Sequence, residues 1–213
     1  MNIFRISGDL MHLASILILL LKMHTSRSVA GISFKTQLLY AIVFTARYLD
    51  LFAHFTYSLY NTTMKIFFLV SSFYILYVMR TKFAATYSAT QDSFRLEYLI
   101  GPAALSAFFL TEAYTFSEIM WTFSLALESV AILPQLYMLS TTGEAETITT
   151  HYLGALGGYR ALYLVNWIYR YLFDNYFKFV PVLAGIIQTA LYLDFFYIYV
   201  TKVLRGKKFK LPV

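Results

Sequence analysis

The chain has 213 residues, 59% of them hydrophobic and 13% charged, with a mean hydropathy of +0.62. That is about half the charge of an ordinary soluble domain, and a soluble fold of this size could not hide so much apolar surface. The soluble class is excluded and a multi-span membrane protein is expected. With no cysteine there are no disulfides and no thiolate chemistry, and the net charge of +6 reads as an orientation signal rather than a nucleic-acid footprint.

Seven apolar segments follow in chain order, at 3–21, 37–56, 64–79, 97–111, 118–139, 151–172 and 179–201. The first lacks the small-residue cleavage site of a signal peptide and reads as a retained span. The fourth, EYLIGPAALSAFFLT, is short for a hydrocarbon layer of about 30 Å and contains Gly101-Pro102. No segment reads as a soluble linker, so residues 1–213 are expected to form one all-α membrane domain of seven helices.

Lysines and arginines orient it. Seven spans put eleven of the seventeen on one side: Lys22, Arg27, Lys35, Arg80, Lys82, Arg95, Lys202, Arg205, Lys207, Lys208 and Lys210. Arg5, Lys65, Arg170 and Lys178 fall on the other. The larger set marks the cytosol, so the N-terminus is expected to be lumenal and the C-terminus cytosolic. A faint internal similarity, ARYLDLF in span two and YRALYLV in span six, suggests that spans 1–3 and 5–7 are parallel repeats about span four.

Ionisable residues inside spans cost several kcal/mol unless they meet a partner or a cavity. Arg5, Asp9 and His12 share one face of span one, and Arg47, Asp50 and His54 one face of span two. Tyr159, Tyr163, Trp167 and Arg170 make a third stripe on span six, and span five adds Glu118 and Glu128. Most of this charge lies in the lumenal half, which points to a water-filled cavity open to the lumen, walled by Trp121, Tyr159, Tyr163 and Trp167. Two accounts remain open. Arg47 with Asp50, or Arg160 and Arg170 with Glu128, could be ion pairs that lock the bundle. Alternatively, converging guanidiniums suit an anionic ligand, because their fork binds carboxylates bidentately. His12 is equally open, as a packing residue or as a pH sensor.

No catalytic constellation is present: there is no HExxH, GxSxG or P-loop, and the four histidines lack metal-ligand spacing. Neither an enzyme, a cofactor nor a metal is expected. A small-solute transporter of the PQ-loop or SWEET type, hinted at by ILPQL, would carry polar residues on into the cytosolic half. A signalling receptor would carry longer cytosolic loops.

The stretches FTARYLDLF, WTFSLALESVAILPQLYMLSTTGEAETITTHYL, YRALYLVNWIYRY and LDFFYIYVTKVL, with the lysine-rich tail, resemble the KDEL receptor family along essentially the whole chain. The resemblance implies a SWEET-like fold of two triple-helix bundles joined by span four. It implies a pH-dependent sorting receptor that binds the C-terminal Lys-Asp-Glu-Leu signal of lumenal proteins in the Golgi and returns them to the endoplasmic reticulum in COPI vesicles. By that resemblance Arg47, with Tyr48, takes the ligand's terminal carboxylate, and Arg5 and Arg170 take its acidic side chains. Tyr163 and Trp167 complete the pocket. Asp50 and Glu118, with Trp121, receive its lysine. His12 is the pH switch, and Glu128 with Tyr159 forms the lock. Lys207 and Lys208 recruit the COPI coat, and Asp194 serves retrograde transport. Two departures stand out. Lys178 occupies a position where vertebrate relatives are expected to carry an acid, and the loop AHFTYSLYN is one residue longer than expected.

Overall fold

A computed structural model describes residues 2–52, 58–142, 144–145, 147–201 and 209–210. Its helices are α1 (Ile3–Ser26), α2 (Phe34–Arg47), α3 (Leu59–Arg80), α4 (Glu97–Leu110), α5 (Phe116–Val130), α6 (Leu133–Thr142), α7 (Thr147–Asp174), α8 (Phe179–Leu191) and α9 (Leu193–Thr201). A 3-10 turn, Leu49–Phe52, follows α2. Two-residue strands Glu144–Ala145 and Phe209–Lys210 pair antiparallel. His54, Lys207 and Lys208 lie outside the described residues.

Side chains set several helix starts. Asn2, Ser33, Ser58 and Thr115 each cap the helix that follows by accepting from a first-turn backbone N–H. Helices α5 and α6 run as one 27-residue element through ILPQ, because Pro134 sits in the first turn of α6, where no backbone donor is needed. Helices α8 and α9 meet at a 48° bend around Tyr192.

Six of the predicted apolar segments coincide with a helix or a helix pair, while the second, 37–56, runs past the end of α2 at Arg47 into the 3-10 turn and on outside the described residues. By length and composition α1, α3 and the α5–α6 element can cross a membrane alone, as can α8 and α9 taken as one bent span. At 14 residues each, α2 and α4 extend only about 21 Å. Helix α7, at 28 residues, is long enough but carries Arg160, Asn166, Arg170 and Asp174. The protein is an all-α membrane protein.

Packing crosses the two halves of the sequence. The most extensive contact is α1 along α7, and α2 lies between α3 and α5, with α8 against both α5 and α7. Gly8 permits the first approach: a Cβ there would stand 2.9 Å from the Tyr163 ring.

Away from the charged stripes the bundle is closed by polar groups bound to backbone. Gln135 accepts from Ser33 N–H at 2.8 Å and donates to the Gly31 carbonyl at 2.9 Å, while its own N–H donates to Thr36 Oγ1 at 3.0 Å. The PQ dipeptide thus clamps α6 to the start of α2. Asp92, 1% exposed, accepts from Ser33 Oγ, Lys35 N–H and the Tyr87 hydroxyl. Lys22 donates to the Ala30 carbonyl. The few polar groups expected at this end are joined by these buried ones, whose hydrogen bonds hold the packing together.

Candidate functional site: a cationic cavity at one end of the bundle

The charged stripes do converge. Helices α1, α2, α3, α5, α7 and α8 enclose a cavity of about 450 Å³. Among the described residues six cationic side chains line it, Arg5, Arg47, Lys65, Arg160, Arg170 and Lys178, against two carboxylates, Asp9 and Glu128. Its chemistry changes in steps from floor to mouth.

The floor centres on Glu128, 1% exposed. Arg47 Nη2 lies 2.6 Å from its Oε2, and Arg160 Nη2 lies 2.5 Å from its Oε1. The Tyr159 hydroxyl donates to Oε1 at 2.5 Å, and Gln188 Nε2 donates to that hydroxyl at 3.4 Å. Arg47 Nε also donates to Ser124 Oγ at 3.1 Å. Two guanidiniums against one carboxylate leave one positive charge in a low-dielectric site, where its attraction for an anion is strong.

His12 sits above this cluster, sandwiched between rings. It stacks on Tyr159 at 4.1 Å between centroids and on Phe68 at 4.5 Å. It therefore touches Tyr159, whose hydroxyl holds Glu128, and lines the same cavity as Glu128, Arg47 and Arg160.

Midway up, Asp9 accepts from the Tyr163 hydroxyl and, at 2.8 Å, from the Tyr60 hydroxyl, tying α1 to α7 and α3. Arg5 Nη2 donates to Asn61 Oδ1 at 3.5 Å. Lys65 pairs with Asp50 and lies over the Tyr48 ring. The Trp167 ring is seated by Gly185, where a Cβ would stand 2.5 Å from Trp167 Cζ3.

At the mouth Arg170 stacks on Tyr176 at 3.7 Å and pairs with Asp174 at 3.5 Å. Lys178 Nζ donates to Glu112 Oε2 at 3.1 Å and stands over Trp121 at 5.4 Å. The hydrogen bond to Glu112 raises the Lys178 ammonium above its usual range, so it stays charged.

Ten of the expected site residues line this one cavity: Arg5, His12, Arg47, Tyr48, Trp121, Glu128, Tyr159, Tyr163, Trp167 and Arg170. Asp50 and Glu118 are outside its lining. Asp50 lies in the 3-10 turn, exposed and held by Lys65, and Glu118 is half-buried in the first turn of α5. Asp194 is exposed at the start of α9, away from the cavity. Of the lock-type ion pairs considered from spacing, Arg160 with Glu128 forms. Arg47 turns to Glu128 instead of Asp50, and Arg170 to Asp174 instead of Glu128. Tyr60 and Asn61 were not assigned to the site from sequence, because α3 begins five residues before the apolar run that marked it; Lys65, inside that run, was read only as a lumenal charge.

Relatives bear on this geometry. The sequence model of the family described as ER lumen protein retaining receptor matches residues 28–170. ER lumen protein-retaining receptor 2 of Gallus gallus is 61% identical over 212 residues, covering the whole of both chains. The proteins of that name from Homo sapiens and Mus musculus are each 59% identical over the same length. The chain belongs to the ER lumen protein retaining receptor family.

Proposed function

We propose that the cavity receives the C-terminal KDEL-type signal of escaped lumenal proteins and that the protein returns them from the Golgi to the endoplasmic reticulum. The observation that carries this reading is the floor, where Arg47 and Arg160 share the one carboxylate of Glu128 in a cavity that Arg5 also lines, while Lys65, Arg170 and Lys178 are held by carboxylates outside the lining. A peptide ending in Asp-Glu-Leu brings three anions, two side chains and the terminal carboxylate. Arg47, assisted by Tyr48, takes the terminal carboxylate, because a guanidinium fork matches it bidentately. Arg5 and Arg170 take the acidic side chains, and Tyr163 and Trp167 wall the peptide backbone. The ligand's amine end points toward Trp121, with Asp50 and Glu118 reaching it after rearrangement.

His12 is the pH switch and Glu128 with Tyr159 the lock. If the bound state favours protonated His12, binding takes up a proton. Affinity is then full at low pH and is lost as pH rises through the bound-state pKa. Capture in an acidic compartment and release in a neutral one follow from that sign. In this reading seven spans in two triple-helix bundles place the cavity in the lumen with the N-terminus. The cytosolic tail meets the COPI coat through Lys207 and Lys208, and Asp194 serves retrograde transport.

Calorimetric titration of the purified protein with a peptide ending in Lys-Asp-Glu-Leu tests the reading. It would be run at about pH 5.4 and about pH 7.4, on either side of the ordinary imidazole range. The free acid should bind and the C-terminal amide should not, with tighter binding at the lower pH. Equal binding of acid and amide would remove Arg47 from the carboxylate role. Saturable uptake of labelled sugar into vesicles would favour a transporter instead.

A further inference from the structure

The charge at the cavity mouth carries a specificity beyond the four-residue signal. Lys178 is the residue before α8, and its ammonium lines the cavity while its partner Glu112 stays outside the lining, 55% exposed by side chain. Beneath it is the face of Trp121. Glu118 on α5, Tyr176 and the Arg170–Asp174 pair are the other charged or titratable groups around this rim.

The vertical scale comes from α5. Trp121 and Glu128 are seven residues apart on that helix, which is about 10 Å along its axis. Arg47 contacts Glu128 at the floor, and Lys178 contacts Trp121 at the mouth. An extended chain advances about 3.3–3.6 Å per residue. A peptide whose carboxylate reaches Arg47 therefore has its fourth residue from the C-terminus at the level of Trp121. The Lys178 ammonium stands 5.4 Å from the Trp121 ring, between one and two residue spacings of an extended chain, so the residue before the fourth passes within its reach.

Resting on the peptide-binding reading above, the geometry points to Lys178 as a specificity determinant for the residue immediately upstream of the signal, favouring an acid there. An acidic side chain displaces Glu112, itself mostly in water, and pairs with an ammonium already aimed into the path. A basic side chain at the same point meets a like charge. The rim is partly exposed, so the effect acts at short range and weakens with salt.

The test uses the full chain in detergent and nonapeptides ending in Lys-Asp-Glu-Leu with Asp, Asn or Lys as the fifth residue from the C-terminus. At low salt Asp should bind about three- to fivefold more tightly than Lys, with Asn between, the range expected of an exposed charge pair. The spread should shrink at high salt. Lys178→Arg should keep the order, Lys178→Ala should narrow it, and Lys178→Glu should invert it. Equal affinity for the three peptides, or an unchanged order in Lys178→Glu, overturns this inference alone. Failure of every peptide to bind overturns the peptide-binding reading along with it.

Discussion

His12 lies flat on Tyr159, with ring centroids 4.1 Å apart and planes 5° from parallel. The same tyrosine donates its hydroxyl to Glu128, so its ring and its hydroxyl connect the histidine to the carboxylate. A proton added to His12 acts on that arrangement in two ways. It places a cation over an aromatic face, and it adds positive charge above a floor that already holds two guanidiniums and one carboxylate. An incoming anion relieves the second effect.

His12→Ala should therefore flatten the pH dependence of peptide affinity while the protein still folds. The wild-type chain should bind more tightly as pH falls, and the variant should show one affinity across the range. Titration at several pH values reads this directly. A wild-type slope retained in the variant would move the sensor elsewhere.

The floor predicts an asymmetry between two substitutions. Glu128→Gln leaves Arg47 and Arg160 facing each other without a buried counter-charge, which costs about 3–5 kcal/mol. Tyr159→Phe removes a neutral hydroxyl that donates to Glu128 and accepts from Arg160 and Gln188, and keeps the ring against His12, which costs about 1–3 kcal/mol. Thermal unfolding in detergent should rank the glutamine variant well below the phenylalanine variant. The reverse order would mean that Arg47 and Arg160 do not depend on Glu128 as their counter-charge.

Arg47→Lys tests the shape of the donor rather than its charge. Lysine keeps the cation but loses the planar fork and the Nε donor that now reaches Ser124. Affinity for the free-acid peptide should fall at least about tenfold, a loss typical of a charge-assisted hydrogen bond. The difference between free acid and amide should narrow with it. Full affinity in the lysine variant would show that charge alone suffices there.

Much of this site was legible because membrane chemistry is strict. A charge in a span needs a reason, so Arg5, His12, Arg47, Glu128 and Arg170 could be named from position alone. Helical spacing then put them on shared faces. What spacing could not give was the partner across the bundle. Arg47 and Asp50 are neighbours in sequence, yet α2 ends at Arg47 and the chain turns into a 3-10 helix, which carries Asp50 away to Lys65. Arg47 then finds Glu128 on α5, a pairing set by tertiary contact. Tyr60 and Asn61 were hidden for a related reason, since the polar first turn of α3 precedes its apolar run, whereas Lys65 was placed on the lumenal side without being given a place in the site. Gln135 binds the Ser33 N–H and the Gly31 carbonyl, and Asp92 the Lys35 N–H and the hydroxyls of Ser33 and Tyr87, pairings in loops and caps that no side-chain pattern announces.

Gly185 offers a way to disturb the pocket without touching a charge. A methyl group there would stand 2.5 Å from Trp167 Cζ3 and 3.2 Å from Leu164 Cδ2, closer than packed atoms tolerate. Because the ring lines the cavity, the strain should push Trp167 toward the ligand path. Gly185→Ala should cost about 1–3 kcal/mol of stability by overpacking and should weaken peptide binding. Its pH slope and its discrimination between free acid and amide should survive, because His12, Glu128 and Arg47 keep their partners. Loss of the pH slope along with affinity would instead tie the α7–α8 contact to the switch itself.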